Sequence, residues 1–131
     1  QLWAFNSVGD AAVQKTLQQH LSPGQFGGNG LGHGNASALV DARNKLQKEF
    51  MAVVGIPISF TAEGLHSGAP GGTVFPMPVT QAATWNPELV QSITEQVAKE
   101  ARYVGMDLLF GPVINMFTDP RYGRLQEGYS E

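Results

Sequence analysis

The sequence holds no cysteine in its 131 residues, which excludes disulfide staples, thiolate nucleophiles and Cys-ligated zinc and leaves the redox compartment open. Basic residues are scarce. Against 11 Asp+Glu stand only 8 Lys+Arg, a formal net charge of -3, so bulk charge does not make this a nucleic-acid binder. No apolar run approaches the roughly 18 residues that a membrane-spanning helix needs. The chain opens Gln1-Leu2-Trp3, without a Met or a charged-then-apolar leader, and a processed or trimmed N-terminus is expected. His20, His33 and His66 share no i,i+2 or i,i+4 spacing and no H-E-x-x-H pattern, so no metal site is expected. What is present is 42% hydrophobic and 15% charged residues, the balance of a soluble globular class. The 16 glycines and 8 prolines are high for an α/β domain of this size and point to long, shaped loops.

Helical periodicity appears in three segments. The first follows Asp10 as N-cap, puts Val13, Leu17 and Leu21 on one face, and stops at Ser22-Pro23-Gly24. His20 ends it, where positive charge suits the helix dipole, and needs no further role. The second starts near Ser37 and carries Leu39, Leu46 and Val53 at heptad spacing, with Ala42 and Phe50 widening the stripe. The third has Asn86 at the N-cap, Pro87 at the first helical position and Glu88 in the first turn. Leu89, Ile93, Val97 and Ala101 then recur every four residues, Glu95 and Lys99 form an i,i+4 pair, and Gly105 closes the helix. Short, nearly continuous apolar runs predict strands buried on both faces. They are Ile56 to Phe60, Leu108 to Phe110 continuing through Val113-Ile114, and a weaker run at Leu2 to Phe5. Pro57 and Pro112 mark strand ends or an edge. The alternation predicts a parallel α/β fold with its chemistry in the loops after the strands. Two such loops stand out, Thr61 to Trp85 and Phe117 to the end.

The glycines between Gly24 and Gly34 fit neither G-x-G-x-x-G nor G-x-x-x-x-G-K-[ST]. A turn-forming loop is expected there, and a nucleotide-binding α/β domain is disfavoured. Thr61-Ala62-Glu63-Gly64-Leu65-His66-Ser67-Gly68 places a carboxylate and an imidazole just past a strand. Two readings stand: a solvated Glu with a packed His, or a carboxylate accepting hydrogen bonds from a polyol. In Asp119-Pro120-Arg121-Tyr122-Gly123-Arg124-Leu125-Gln126-Glu127, two arginines are flanked by acids. They can form an ion-pair network that fixes the loop, or one guanidinium can face a ligand while the acids hold it; the two are compatible. Asn35-Ala36-Ser37 is an N-x-S sequon, so Asn35 is a glycosylation candidate or a chance match to a short pattern.

At these loops the sequence resembles glycoside hydrolase family 3, the β-glucosidase and β-xylosidase branch. The residues that carry this are Gly55-Ile56-Pro57-Ile58, Glu63-Gly64-Leu65-His66 and Gly72-Thr73-Val74-Phe75-Pro76. They continue through Ala82-Ala83-Thr84-Trp85-Asn86-Pro87-Glu88-Leu89 to Asp119-Pro120-Arg121-Tyr122-Gly123-Arg124 and Glu127. The resemblance implies a partial (β/α)8 TIM-type barrel, with residues 1–131 as the N-terminal fragment of the barrel domain. It also implies retaining hydrolysis of terminal β-D-glucosides by an aspartate nucleophile and a glutamate acid/base, with no cofactor. By similarity Glu63 and Arg124 bind the sugar, and His66, Asp119, Arg121 and Glu127 hold these two in place. Ser67 stands where the family usually has Gly, and Tyr122 where Trp is common. The implied partners are a β-linked oligosaccharide or glycoside and the remainder of the barrel, from the same or a complementing chain. No nucleic acid or membrane span is expected. The family's catalytic pair comes later than Arg124, so both members are expected beyond residue 131, and residues 1–131 alone are expected to be inactive. Family members are often exported, so a secreted protein is expected. The alternative is a non-catalytic carbohydrate-binding or structural protein that retains the barrel.

Overall fold

A computed structural model describes residues 3–5, 15, 18–19, 24–27, 35–69 and 71–130. Four strands form one sheet: β1 (Trp3–Phe5), β2 (Gly24–Gly27), β3 (Ser59–Glu63) and β4 (Leu108–Phe110). Every pairing is parallel, in the order β1-β2-β3-β4, with Phe5 opposite Phe26, Phe26 opposite Phe60, and Glu63 opposite Phe110. Among the described residues three helices accompany them, α1 (Ala36–Val54), α2 (Pro78–Ala82) and α3 (Pro87–Tyr103), and a 3-10 turn at Leu125–Glu127 follows β4. The strand order runs in one direction only, without the reversal that marks a doubly wound sheet.

The expected turn at Gly24 to Gly34 is corrected in part, because Gly24–Gly27 is β2, paired on both sides. Glycine is a poor strand former, but the ladder bonds use only backbone, and two neighbouring strands supply them. Residues 28–34, including His33, lie outside the described residues. So does most of the helix expected after Asp10, with Val13, Leu17, His20 and Leu21. Within that segment the Gln19 N–H donates to the Lys15 carbonyl at 3.1 Å, an i→i−4 bond.

In α1 the Asn35 side chain accepts from the Ser37 N–H at 3.0 Å, and Gly55 (φ 76°) ends the helix with its N–H on the Met51 carbonyl. Its buried stripe is Leu39, Arg43, Leu46 and Phe50, whereas Val53 is 40% exposed. A straight helix drifts about 20° per heptad, so Val53, two heptads from Leu39, has rotated off the face. Arg43 takes a place in the stripe instead. Its Nη1 donates to the Val104 carbonyl, and its guanidinium lies 5.6 Å from the Phe60 ring centroid. Burial pushes its pKa down, against the opposing effect of Asp107. These contacts tie α1 to the end of α3 and to β3. Leu39, Leu46, Phe50, Ile58, Phe60, Ala62, Ala101, Val104 and Met106 form the core.

β3 lies three residues later than the apolar run Ile56 to Phe60. Ile56 is exposed, and the Ile58 N–H bonds the Gln47 side chain at 3.2 Å rather than a ladder partner. β4 does not continue through Val113-Ile114. Pro112 has no N–H to give the ladder, Val113 makes only an isolated bridge to Gly128, and Ile114 is exposed. α3 is capped as expected: Asn86 Oδ1 accepts from the Leu89 N–H at 2.9 Å, Pro87 opens the helix, and Gly105 (φ 79°) follows it. Val97 and Ala101 are its buried residues, while Leu89 is exposed. Glu95 accepts from Gln91 at 2.9 Å, on its other i,i+4 side, rather than from Lys99.

Candidate functional site

The site is built where β3 and β4 end. Glu63 is the last residue of β3 and is exposed there, after the buried Phe60, Thr61 and Ala62. The chain then turns against its neighbour strand. The Gly64 N–H donates to the Phe110 carbonyl at 3.3 Å, and a Cβ on Gly64 would lie 2.7 Å from Leu109 Cβ. Gly68 brings the same loop onto α3, where a Cβ would fall 1.9 Å from the Val97 carbonyl oxygen. Between these contacts, His66 is clamped to Phe75. The Phe75 N–H donates to the His66 carbonyl at 2.8 Å, and His66 Nδ1 lies 2.8 Å from the Phe75 carbonyl oxygen. A carbonyl only accepts, so Nδ1 carries the proton of this bond.

The loop after β4 is held differently. Phe117 stacks on Tyr122 with centroids 5.2 Å apart, and Gly128 lies under the Phe117 ring, where a Cβ would come within 1.8 Å. Asp119 accepts from the Arg121 backbone N–H and Nε, each at 2.9 Å, and from Nη2 at 2.6 Å, while the Tyr122 N–H bonds the Asp119 carbonyl. Arg121 holds the Asp119 carboxyl below the usual carboxylate range, and is itself raised in return. Beyond this turn, Arg124 and Glu127 meet side-on, Nε to Oε1 at 2.7 Å and Nη2 to Oε2 at 2.6 Å. This bidentate pair leaves the Arg124 Nη1 donors for a ligand. The guanidinium is held above its ordinary pKa first by Glu127, with smaller contributions from Tyr122 and Glu63.

The two loops enclose a depression of about 310 Å³, lined by Glu63, His66, Ser67, Arg124 and Glu127 with Leu65 and Met77 as its apolar wall. Four of the residues singled out from sequence therefore meet: Glu63, His66, Arg124 and Glu127. Asp119 and Arg121 do not line it. Their mutual bonds shape the turn preceding Arg124, so any support they give is through the backbone. Asn35 is exposed on the cap of α1, far along the chain from these loops. Ser67 lines the depression at the position of the Gly-to-Ser departure, whereas nothing in the sequence pointed to Met77, which precedes α2. A larger depression of about 510 Å³ lies against Val79, Phe117, Pro120 and Leu125. It is mostly apolar and holds no titratable side chain, so it lacks the groups that chemistry needs. Among the described residues no group of three or more His, Asp or Glu could hold a metal ion, and no helix is long and apolar enough to cross a membrane.

Fold and site together define a parallel α/β domain with a polar depression at the carboxyl ends of its strands. The chain belongs to glycosyl hydrolase family 3: the model of that family's N-terminal domain matches residues 1–131. It is 36% identical over 127 residues to a β-xylosidase/α-L-arabinofuranosidase 1 of Medicago sativa subsp. varia, covering 92% of this chain and 15% of that protein. It is 28% identical over 127 residues to a periplasmic β-glucosidase of Salmonella typhimurium, covering 95% and 16%. The crystal structure of an exo-1,3/1,4-β-glucanase from a Pseudoalteromonas species superimposes with a TM-score of 0.79 at 20% identity, covering 98% of this chain and 17% of that one. The chain thus spans about a sixth of the length of these relatives.

Proposed function

We propose that residues 1–131 are the N-terminal portion of a (β/α)8 barrel domain and supply part of the sugar-binding subsite of a retaining hydrolase of terminal β-D-glucosides. The observation that carries this reading is the meeting of Glu63, from the end of β3, and Arg124, from the loop after β4, in one depression. The sequential parallel strand order supports the barrel, whose strands neighbour one another in chain order. Exposed Leu108 and Phe110 on β4 supply apolar surface for the next part of the barrel. The names of the two sequence relatives support a glycoside substrate.

The chemistry fits a sugar ring. Glu63 accepts from ring hydroxyls, Arg124 Nη1 donates to another, and Leu65 and Met77 receive the apolar CH face. Glu127 keeps the guanidinium aimed by neutralising one of its edges. Retaining hydrolysis needs two carboxyls about 5–5.5 Å apart across the scissile bond. Glu127 is committed to Arg124, and we assign the nucleophile and acid/base to chain outside residues 1–131. Alone, this segment holds a glycoside but does not cleave it. We further propose an extracytoplasmic protein modified at Asn35. The cap uses that side chain's Oδ1, which leaves the amide nitrogen, the atom that carries a glycan.

The test is Glu63→Ala in the full-length enzyme, assayed on an aryl β-glucoside beside the matching β-xyloside. Losing a hydrogen bond to a charged group costs about 1.5–3 kcal/mol, a fall in kcat/KM of about tenfold to about a hundredfold. Unchanged kinetics would contradict the assignment. A full-length protein that binds glucosides without ever cleaving them would favour the non-catalytic alternative.

A further inference from the structure

The geometry points to Glu100, a residue of α3 outside the depression, as a positioning residue of the sugar site, an inference that rests on the sugar-site reading above. The Glu100 carboxylate reaches from the helix to the loop that follows Gly68. Its Oε2 accepts from the Thr73 N–H at 2.8 Å, and its Oε1 from the Thr73 hydroxyl at 2.7 Å. One turn earlier on α3, Gln96 donates to Oε1 at 3.0 Å and fixes the carboxylate's orientation. Gly72 completes the seat, because a Cβ there would fall 2.3 Å from Glu100 Oε2. The carboxylate fills the space that any larger residue would need. Hydrogen bonds from Gln96 and then Thr73 hold its pKa below the usual carboxylate value, so it stays ionised at neutral pH.

Two residues beyond Thr73, Phe75 is bonded to His66 in both directions, through the backbone and through Nδ1. Thr73 to Met77 belong to no helix or strand, so no ladder sets their position. The anchors at the two ends of this stretch do it instead: Thr73 on Glu100, and Phe75 on His66. Of these groups only His66 lines the depression. Glu100 therefore acts through the loop, by fixing the carbonyl that sets the imidazole's place and tautomer. A charged acceptor suits this task, since its hydrogen bonds are roughly twice as strong as neutral ones.

The test uses the full-length enzyme that carries this segment. Glu100→Ala is expected to raise KM for an aryl β-glucoside about tenfold with a smaller change in kcat. Glu100→Gln should restore most of the loss, because its amide can accept from the Thr73 N–H and donate to the hydroxyl oxygen. Arg102→Ala, which breaks an exposed ion pair with Asp107 on another face of α3, should leave KM unchanged. Nitrogen-15 NMR of His66 should show a fixed Nδ1–H tautomer in the wild type and lose it in Glu100→Ala. A lowered melting temperature with wild-type KM and an intact tautomer would overturn the inference. If Glu100→Ala fails to fold, Thr73→Val removes the hydroxyl and keeps the shape. It should raise KM about threefold, and no change would again overturn the proposal. Glu63→Ala, run in parallel, separates the two readings. Wild-type kinetics there would sink the sugar site itself, whereas a defect in Glu63→Ala without one in Glu100→Ala would sink only the positioning role.

Discussion

The two loops that meet at the depression are held by different physics. The loop after β3 is fixed on the core: Gly64 against Leu109, Gly68 against the α3 backbone, Thr73 on Glu100, and His66 on Phe75. The loop after β4 rests its 3-10 turn on α2 and is otherwise held by its own side chains, the Phe117–Tyr122 stack, the Asp119–Arg121 pair and the Arg124–Glu127 pair. Glu63 and His66 thus inherit their rigidity from the sheet and a helix. Arg124 depends on charged pairs formed within its own loop and partly open to water. One half of the site should answer to packing, and the other to charge.

The largest effect expected from this contrast is at Gly68. Gly68→Ala drives a Cβ into the Val97 carbonyl, a backbone atom that cannot swing aside, and should cost the full-length protein about 3 kcal/mol of stability. The atoms nearest a Cβ on Gly128 belong to the Phe117 ring, a side chain that can shift, so for Gly128→Ala thermal unfolding should show a smaller loss. Equal losses would erase the distinction between a loop packed on the core and one held mainly by its own side chains.

Next is Glu127→Gln, which removes the charge but keeps the shape. Without it the guanidinium loses its bidentate partner, and kcat/KM should fall about tenfold with stability nearly unchanged. A loss of stability without a kinetic defect would mean that Glu127 supports the fold rather than Arg124.

The smallest effect concerns acid. The Asp119 and Glu100 pKa values are lowered in the folded protein. The stability they contribute is present above the ordinary carboxylate value, near 4, and is lost as pH falls through the lowered one. Between pH 5 and 8 neither should contribute any pH dependence, and both loops should begin to loosen only below about pH 4. Hydrogen exchange in residues 119–124 and 72–75 reads this directly. Because the Asp119–Arg121 pair is open to water, Asp119→Asn should leave neutral-pH stability nearly unchanged. A clear loss there would show that the surface pair carries more of the loop than its exposure allows.

How far the sequence disclosed this arrangement depends on the range of each interaction. α3 was legible almost to the residue, because Asn86, Pro87, Val97, Ala101 and Gly105 act through local rules of capping and period. β4 was legible as Leu108–Phe110, but the run was carried past Pro112 to Val113-Ile114, beyond the strand's end at Phe110. β2 was hidden, since Gly24–Gly27 has no side-chain pattern and exists because β1 and β3 flank it. Arg43 was hidden too: a charged residue in an apolar stripe makes sense only beside the Val104 carbonyl and the Phe60 ring, both distant in sequence. At the site, Glu63, His66, Arg124 and Glu127 could be picked out by their resemblance to family blocks, but their meeting is a matter of topology. Glu100 escaped notice because its partner Thr73 is 27 residues away, and a Glu on an exposed helix face looks like any solvated charge.

The most direct measurement is a crystal structure of the full-length protein with glucose bound. One sugar ring is expected, with a Glu63 carboxylate oxygen and an Arg124 guanidinium nitrogen both within hydrogen-bonding distance of its hydroxyls, between Ser67 and Met77. A ring bound elsewhere, or one touched by Glu63 with Arg124 turned away, would contradict it.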